Sequence, residues 1–485
     1  MNNLLRKYNE LSEPLKASFW YTICNVINKG IALLSTPIFT RVMTKSQYGT
    51  FAIFQSWYSI MIIFTSLNIF MSSYQKGLLL YKNDKESFTS TQLGLTTTIT
   101  FFFIFLYLLN PHFWSSIFEL QPILMFAMTL ELLFMPALEF WSTKQRFDFK
   151  YKKYVAVSIL MTIISLGGGV LAVLSTSYKV EARVYTDVLS KVLFSAFFFY
   201  LIFKKGKKFY CLQYWKYALS FNLPLIPHYL SNYVLSQSDR IMIGKMIGTD
   251  KAAFYSVAYT ISMMMILIVN AINGSLVPYL YKKIDEFEND STYNYDTKND
   301  VMKVTTSLIL IIALLCFIAM LFAPEIIRIF AGSSYYEAIY VIPPVALSVF
   351  FIFIYSLFSN IEYYFQETKL IALATFLCAI LNLVLNFIFI SIFGYMAAGY
   401  TTLISYVALS ILHYRFYKRI LNYKKISFFY NNKLILYISI ILIFLMLIVA
   451  VSYKLTMIRY IMIASVFLTI LYFRKNIIFA IKNLK

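Results

Sequence analysis

Residues 17–43 read ASFWYTICNVINKGIALLSTPIFTRVM. Within 17–39 the only charged residue is Lys29. A helix crossing the ~30 Å hydrocarbon core of a bilayer needs about 20 mostly apolar residues, so this stretch predicts a membrane span. The pattern recurs along the chain. Further spans are expected near 49–72, 90–109, 121–142, 154–176, 182–203, 217–238, 253–280, 304–323, 339–361, 370–391, 395–414, 434–452 and 457–473, which makes fourteen. Composition agrees: of 485 residues 60% are hydrophobic and 13% charged, against roughly 45–50% and ~25% in soluble proteins. A water-soluble globule could not hide that much apolar surface. The sequence therefore excludes a soluble enzyme, a disordered chain and a disulfide-rich secreted domain. The expected class is an all-α polytopic membrane protein of two six-helix lobes plus two C-terminal helices.

The net charge is +21. In a soluble chain it would suggest nucleic acid; in a polytopic one it reflects the excess of Lys and Arg in cytoplasmic loops, and no nucleic-acid partner is expected. With the N-terminus inside, 31 of the 43 Lys and Arg fall in cytoplasmic segments and 11 on the opposite side, Lys29 lying within a span. An error of one span would scramble that alternation, so both termini are expected in the cytoplasm. The polar start MNNLLRKYNELSEPLKAS does not resemble a cleaved signal peptide. Cys24, Cys316 and Cys378 lie in apolar runs and Cys211 in a basic loop, so no disulfide framework is expected. The longest loop, Tyr281 to about Lys303, is acidic and reads as a solvated connector.

Two regions about 200 residues apart share a pattern. Pro-Ile-Phe-Thr-Arg-Val-Met (37–43) precedes Tyr48-Gly49-Thr50-Phe51, and Ser-Asp-Arg-Ile-Met-Ile-Gly (238–244) precedes Ala253-Phe254-Tyr255-Ser256. Spans 1–6 and 7–12 then read as related halves, as in transporters whose substrate path runs between repeats. The expected lobes are 1–208 and 209–425, with the helix pair 426–485 appended.

Ionisable groups at membrane depth are costly and normally face a bundle interior or water. Asn25, Asn28, Lys29, Thr36 and Thr40 fall within an arc of about 120° on the first span. Lys29 is too deep to snorkel comfortably. It reads either as a cation attracting an anionic head group or as the structural partner of a buried carboxylate such as Glu131. On the seventh span His228, Asn232, Ser236 and Asp239 share an arc of about 80°, just after Pro224 and Pro227, which should break the helix. His228 is a candidate for proton coupling; a hydrogen-bonding role is the plainer alternative. Asn270 and Asn273 share a face with Tyr259. Glu131 and Glu139 lie on span 4, Arg183, Asp187 and Lys191 on span 6, and Glu362 beside Asn360 closes span 10. Such mixed charges suit a hydrated path with local pairing, since a simple pore more often shows rings of like charge.

Enzyme signatures are missing from the sequence. His112, His228 and His413 show neither an H-x-x-x-x-D arrangement nor metal-ligand spacing, and there is no phosphate loop of the form G-x-x-x-x-G-K-[ST]. No enzyme activity, metal or cofactor is expected, and transport would run on an ion gradient or on substrate asymmetry.

Several motifs occur in order: Asn28-Lys29-Gly30-Ile31 through Pro37-Ile38-Phe39-Thr40-Arg41 with Tyr48-Gly49; Leu225-Ile226-Pro227-His228; Ser238-Asp239-Arg240-Ile241-Met242-Ile243-Gly244; Phe254-Tyr255-Ser256-Val257-Ala258-Tyr259; and Asn382-Leu383-Val384-Leu385-Asn386 with Phe393-Gly394 through Gly399. Together, over roughly residues 15–415, they resemble the polysaccharide transporter family. These are the Wzx-type O-antigen flippases of the multidrug/oligosaccharidyl-lipid/polysaccharide (MOP) superfamily. The resemblance implies two lobes in a V shape and a bacterial inner-membrane location. It also implies passage of an undecaprenyl-diphosphate-linked repeat unit, for O-antigen, capsule or exopolysaccharide, from the cytoplasmic to the periplasmic leaflet. The expected partners are that lipid-linked oligosaccharide, membrane lipid, H+ or Na+ as coupling ion, and other polysaccharide assembly proteins. A diphosphate needs shielded cations, for which Lys29, Arg41 and Arg240 are candidates, with Asn25 and Asn232 as further substrate contacts. His228, Asp239, Glu131 and Asp187 are candidates for coupling or gating. The alternatives are a lipid II flippase or a cation-coupled drug exporter of the same superfamily, and a membrane polysaccharide polymerase, which would want a large periplasmic loop.

Overall fold

A computed structural model describes residues 12–289, 294–424, 426 and 429–468. The expectation of an uncleaved polar start at residues 1–11, the last five residues of the fourteenth expected span, and both chain termini lie outside these residues. The described residues form helices and short 3-10 turns, with no strand among them. The chain divides into two compact units, residues 1–253 and 254–485.

The first unit holds α1 (Glu13–Val42), α2 (Lys45–Ser66), α3 (Ser73–Leu80), α4 (Lys85–Leu109), α5 (Pro111–Phe118), α6 (Pro122–Phe147), α7 (Tyr151–Ser175), α8 (Lys179–Gly206), α9 (Leu212–Asn222) and α10 (Ile226–Met246). It therefore extends past residue 208 to include α10, which packs along α2. The Tyr48-Gly49 motif has a local cause. Thr44 and Gln47 close a reciprocal capping box that starts α2. A Cβ on Gly49 would meet the Thr249 carbonyl oxygen at 1.9 Å, so α2 can approach the backbone at Thr249, 200 residues further along the chain, only with glycine there.

Two expected spans take a different form. The second, expected over 49–72, ends at Ser66. The Ser66 hydroxyl donates to the Ile62 carbonyl at 2.6 Å and accepts from the Asn68 amide, while Leu67 and Asn68 turn left-handed. These local hydrogen bonds compete with the helix and stop it. The seventh span breaks as Pro224 and Pro227 predict: α9 ends at Asn222, a 3-10 turn covers Leu223–Leu225, and α10 restarts with Pro227 in its first turn. There the missing proline N–H costs nothing.

Tyr74, Phe88 and Phe140 are fully buried at the centre of the first unit. Tyr74 meets Phe140 edge-on at 4.9 Å, and its hydroxyl finds Thr89 at 2.7 Å. Each buried ring thus brings apolar area, and the phenol a partner for its polar end.

The second unit continues from α11 (Thr249–Met263), which begins before the boundary, through α12 (Ile266–Asn289), α13 (Asn294–Leu321), α14 (Ala323–Phe330), a 3-10 segment (Ser333–Val341), α15 (Ile342–Tyr364), α16 (Thr368–Phe393), α17 (Ala397–Lys424), α18 (Asn432–Ser452) and α19 (Thr456–Leu468). Nearly all of α15 is buried; it is the core helix, packed by α13, α17 and α18.

Ten segments among the described residues are long and apolar enough to cross a membrane. Where spans 2, 7 and 12 were expected, α2, α10 and α17 are 22, 21 and 28 residues long. At about 1.5 Å per residue each could cross the hydrocarbon layer. They are more polar because they bury hydrogen-bonding groups: Ser56 and Thr65 on α2, Ser238 and Asp239 on α10, Thr402 and His413 on α17. The number fourteen remains an expectation of the sequence.

Candidate functional site

On α8, Arg183, Asp187 and Lys191 recur every fourth residue and so stand on one helix face. That face meets α6, which supplies Glu131, with α2 and α7 alongside. Glu131 is fully buried and its Oε1 lies 2.6 Å from the Lys191 ammonium. Lys191 also donates to Asp187 Oδ2 at 2.8 Å. Asp187 collects two more donors, Gln55 Nε2 at 3.0 Å and the Ser165 hydroxyl at 2.6 Å, and Arg183 Nη1 stands 4.0 Å away. Lys191 also lies over the ring of Tyr58 on α2 at 5.4 Å.

The Arg183 guanidinium lies between the rings of Phe39 on α1 and Phe51 on α2, at 4.4 and 4.6 Å. Gly169 on α7 gives it room, since a Cβ there would come within 3.1 Å of Nη1. Its Nε and Nη1 are buried without hydrogen-bond partners among the described residues, as is Glu131 Oε2. Formal charges in the cluster cancel, two positive against two negative. Burying ions is expensive even when they are paired, and this arrangement limits the cost by sharing Lys191 between both carboxylates. Chemically it is an electrostatic latch across α2, α6, α7 and α8, with no nucleophile or metal set. Among the described residues no group of His, Cys, Asp and Glu could hold a metal.

Lys191, not Lys29, is the cation paired with Glu131, which corrects the structural alternative for Lys29. Lys29 is exposed at mid-helix on α1 and makes no ion pair among the described residues. Asn25, one turn earlier, is exposed as well. The expected polar arc of α1 is divided. Thr36 and Thr40 are buried, and the Thr40 hydroxyl donates to the Thr36 carbonyl at 2.8 Å. Asn28 turns to α7, donating to the Ser158 hydroxyl at 2.7 Å and accepting from Thr162 at 3.1 Å. Arg41 at the end of α1 is exposed and donates to the Pro37 carbonyl at 2.7 Å.

The α10 face forms an i, i+4 ladder. Asn232, which is exposed, approaches His228 Nε2 at 3.3 Å; Ser236 donates to the Asn232 carbonyl at 3.1 Å; Arg240 donates to the Ser236 carbonyl at 2.9 Å and to Gln237 at 2.6 Å. Ser56 of α2 donates to the same Gln237 oxygen. Asp239 is fully buried. The candidates thus fall into three places: Glu131 and Asp187 in the latch, His228, Asn232, Asp239 and Arg240 on α10, and Asn25, Lys29 and Arg41 along α1.

The second unit has its own polar features. Asn386 donates to Asn382 at 3.2 Å and accepts from Thr401, giving the asparagines of that sequence motif a buried role. Near the end of α13, Arg459 of α19 grips Glu325 with two hydrogen bonds at 2.5 and 2.6 Å. Burial alone would raise the Glu325 carboxyl, but the guanidinium outweighs it and holds it below its ordinary value. Sequence reasoning missed one pair altogether: His413 Nδ1 and Glu362 Oε1, 2.8 Å apart and fully buried. They are 51 residues apart, and no sequence signal brings spans 10 and 12 together.

Comparison with known proteins adds a lineage. The family model described as "Polysaccharide biosynthesis protein" matches residues 15–283, more than half of the chain. The "Probable low-salt glycan biosynthesis flippase Agl15" of Haloferax volcanii is 21% identical over 411 residues, covering 82% of each chain. Among solved structures, the lipid II flippase MurJ in an inward closed conformation superposes with a TM-score of 0.67 at 16% identity, covering 94% of this chain and 99% of that one. An inward-facing multidrug resistance MATE transporter of the MOP superfamily gives 0.58 at 14% identity, covering 82% and 96%. The fold is that of these membrane transporters.

Proposed function

The chain belongs to the polysaccharide biosynthesis protein family, and from that premise we propose that it is a flippase for a polyprenyl-diphosphate-linked oligosaccharide. It carries the repeat unit from the cytoplasmic to the outer leaflet of a bacterial inner membrane by alternating access, without covalent chemistry. Family membership carries this reading. The MOP-superfamily fold supports it, and so does Lys29, an exposed cation in the middle of a 30-residue apolar helix. A charge so placed is tolerable only against water or an anionic group.

In this reading Lys29, Arg41 and Arg240 contact the diphosphate, and Asn25 and Asn232 the adjoining polar groups of the substrate. Glu131 and Asp187 act through Lys191 as a latch that repartners during the cycle, while His228 and Asp239 gate the α10 ladder. A proton or sodium gradient supplies the drive, and other polysaccharide assembly proteins receive the product.

Host cells lacking the gene provide the test. Loss of surface polysaccharide, with lipid-linked repeat units trapped on the cytoplasmic leaflet, is the expected result. Repeat units reaching the outer leaflet unpolymerised would point to a polymerase instead. Unchanged polysaccharide would overturn the proposal and favour a drug exporter or a lipid II flippase.

A further inference from the structure

The second unit contains a buried carboxylate whose ion-pair partner is a histidine. Glu362 is fully buried on α15, and His413 on α17 is 1% exposed. Glu362 Oε1 and His413 Nδ1 are 2.8 Å apart, while Glu362 Oε2 is buried with no hydrogen-bond partner among the described residues. Asn360 Nδ2, two residues earlier, is also buried and unpartnered there. The surroundings are aromatic. Tyr355 of α15 stacks on His413 at 5.5 Å, and Tyr406 of α17 stacks on Tyr355 at 6.4 Å. Phe358 of α15 packs against Tyr414 and Tyr417 of α17 and against Tyr430, which precedes α18. Glu367, just past α15, adds a like charge in the vicinity. Among the described residues no charged group of α12, α13, α16 or α18 forms an ion pair with Glu362 or His413.

Charge counting separates this pair from the latch in the first unit. There Lys191 and Arg183 supply two positive charges that balance Glu131 and Asp187. Here a neutral histidine beside an ionised Glu362 leaves a net charge of minus one in a water-excluded, ring-lined site. Such a charge is strongly disfavoured unless it is neutralised. The closed packing of α15 on α17 therefore requires one proton on the pair, held on either the imidazole or the carboxyl. Loss of that proton favours any arrangement that lets water reach the carboxylate, so proton occupancy and the contact of the two helices are linked.

We propose that Glu362 and His413 form a proton-binding site in the second unit, which takes up and gives back one proton as the α15–α17 contact closes and opens. The proposal rests on the transporter reading above and deepens it by assigning the coupling ion as H+.

Proton binding is measurable without any substrate. Full-length protein in detergent would be titrated from mildly acid to alkaline pH with an indicator dye, comparing wild type, E362Q, H413Q and E362D. Glutamine reproduces the neutral carboxyl in shape, so E362Q should keep the fold. E362Q should release about one proton fewer than wild type, while E362D and H413Q should retain it, because the lone buried carboxyl left by H413Q still has to be neutralised by a proton. Equal release by wild type and E362Q would overturn the site. The same proteins in proteoliposomes, given extracted lipid-linked repeat units, separate the two claims. Transport that responds to an imposed pH gradient in wild type and loses that response in E362Q supports the proposal. Transport equally gradient-responsive in E362Q overturns the proton site and leaves the flippase reading standing. Absence of transport in wild type, with the one-proton difference intact, overturns the flippase reading alone.

Discussion

Removing Lys191 should damage the first unit more than its partial exposure suggests. In Lys191→Met the apolar stem survives but the charge that holds Glu131 at 2.6 Å and Asp187 at 2.8 Å is lost. Asp187 keeps Gln55, Ser165 and Arg183. Glu131 has no other ion-pair partner among the described residues and no exposed surface. Breaking a buried pair by deleting one partner costs about 3–5 kcal/mol, because the remaining charge is stranded. The loss should therefore lie near that range, and adding Glu131→Gln should recover at least about half of it by removing the stranded charge. Lys191→Arg should lie closer to wild type. Thermal unfolding of the purified protein, followed by intrinsic fluorescence for wild type, Lys191→Met, Glu131→Gln, the double variant and Lys191→Arg, measures the cycle. A Lys191→Met protein that melts with wild type, or a double variant no better than the single, would refute the latch.

At matched membrane levels, Lys29→Ala should lower transport at least about tenfold, with Lys29→Arg retaining part of it, as expected for a charge-assisted contact to a phosphate; equal activity of Lys29→Ala and wild type would remove Lys29 from the site. Gly49→Ala places a methyl 1.9 Å from the Thr249 carbonyl oxygen, and the forced shift should cost about 1–3 kcal/mol in a melting experiment. Glu325→Gln weakens the clamp on Arg459. Because Glu325 is held below the ordinary carboxyl range, its contribution is present above that range and fades as pH falls through the lowered value. The melting difference between wild type and Glu325→Gln should then be present at neutral pH and disappear in strong acid. About 1.5 kcal/mol is expected, the low end for a charged hydrogen bond, since Glu325 is 30% exposed.

The all-helical membrane fold was legible in residues such as 17–39 because apolar runs of span length have few other uses. So was the break at Pro224 and Pro227, where backbone chemistry is local. The end of α2 at Ser66 was not, since it depends on serine and asparagine side chains returning to nearby backbone. For the site, the spacing of Arg183, Asp187 and Lys191 displayed one face, but nothing in the sequence tells that Glu131 of another helix would complete it. Partner choice between helices is a matter of tertiary packing. Lys29 and Glu131, both conspicuous ions in apolar runs, are for that reason easily mispaired on paper. The pairing of His413 with Glu362 was hidden on the same ground, each reading as an isolated polar residue until α15 and α17 bring them together.

The central claim is lipid-linked oligosaccharide translocation, and reconstitution tests it most directly. Purified protein would be placed in liposomes carrying extracted polyprenyl-diphosphate-linked repeat units on one leaflet. An impermeant glycosidase or lectin would then report their arrival on the other. The account predicts protein-dependent transfer that falls sharply in Lys29→Ala. Liposomes with and without the protein giving the same slow appearance, under either a proton or a sodium gradient, would contradict it.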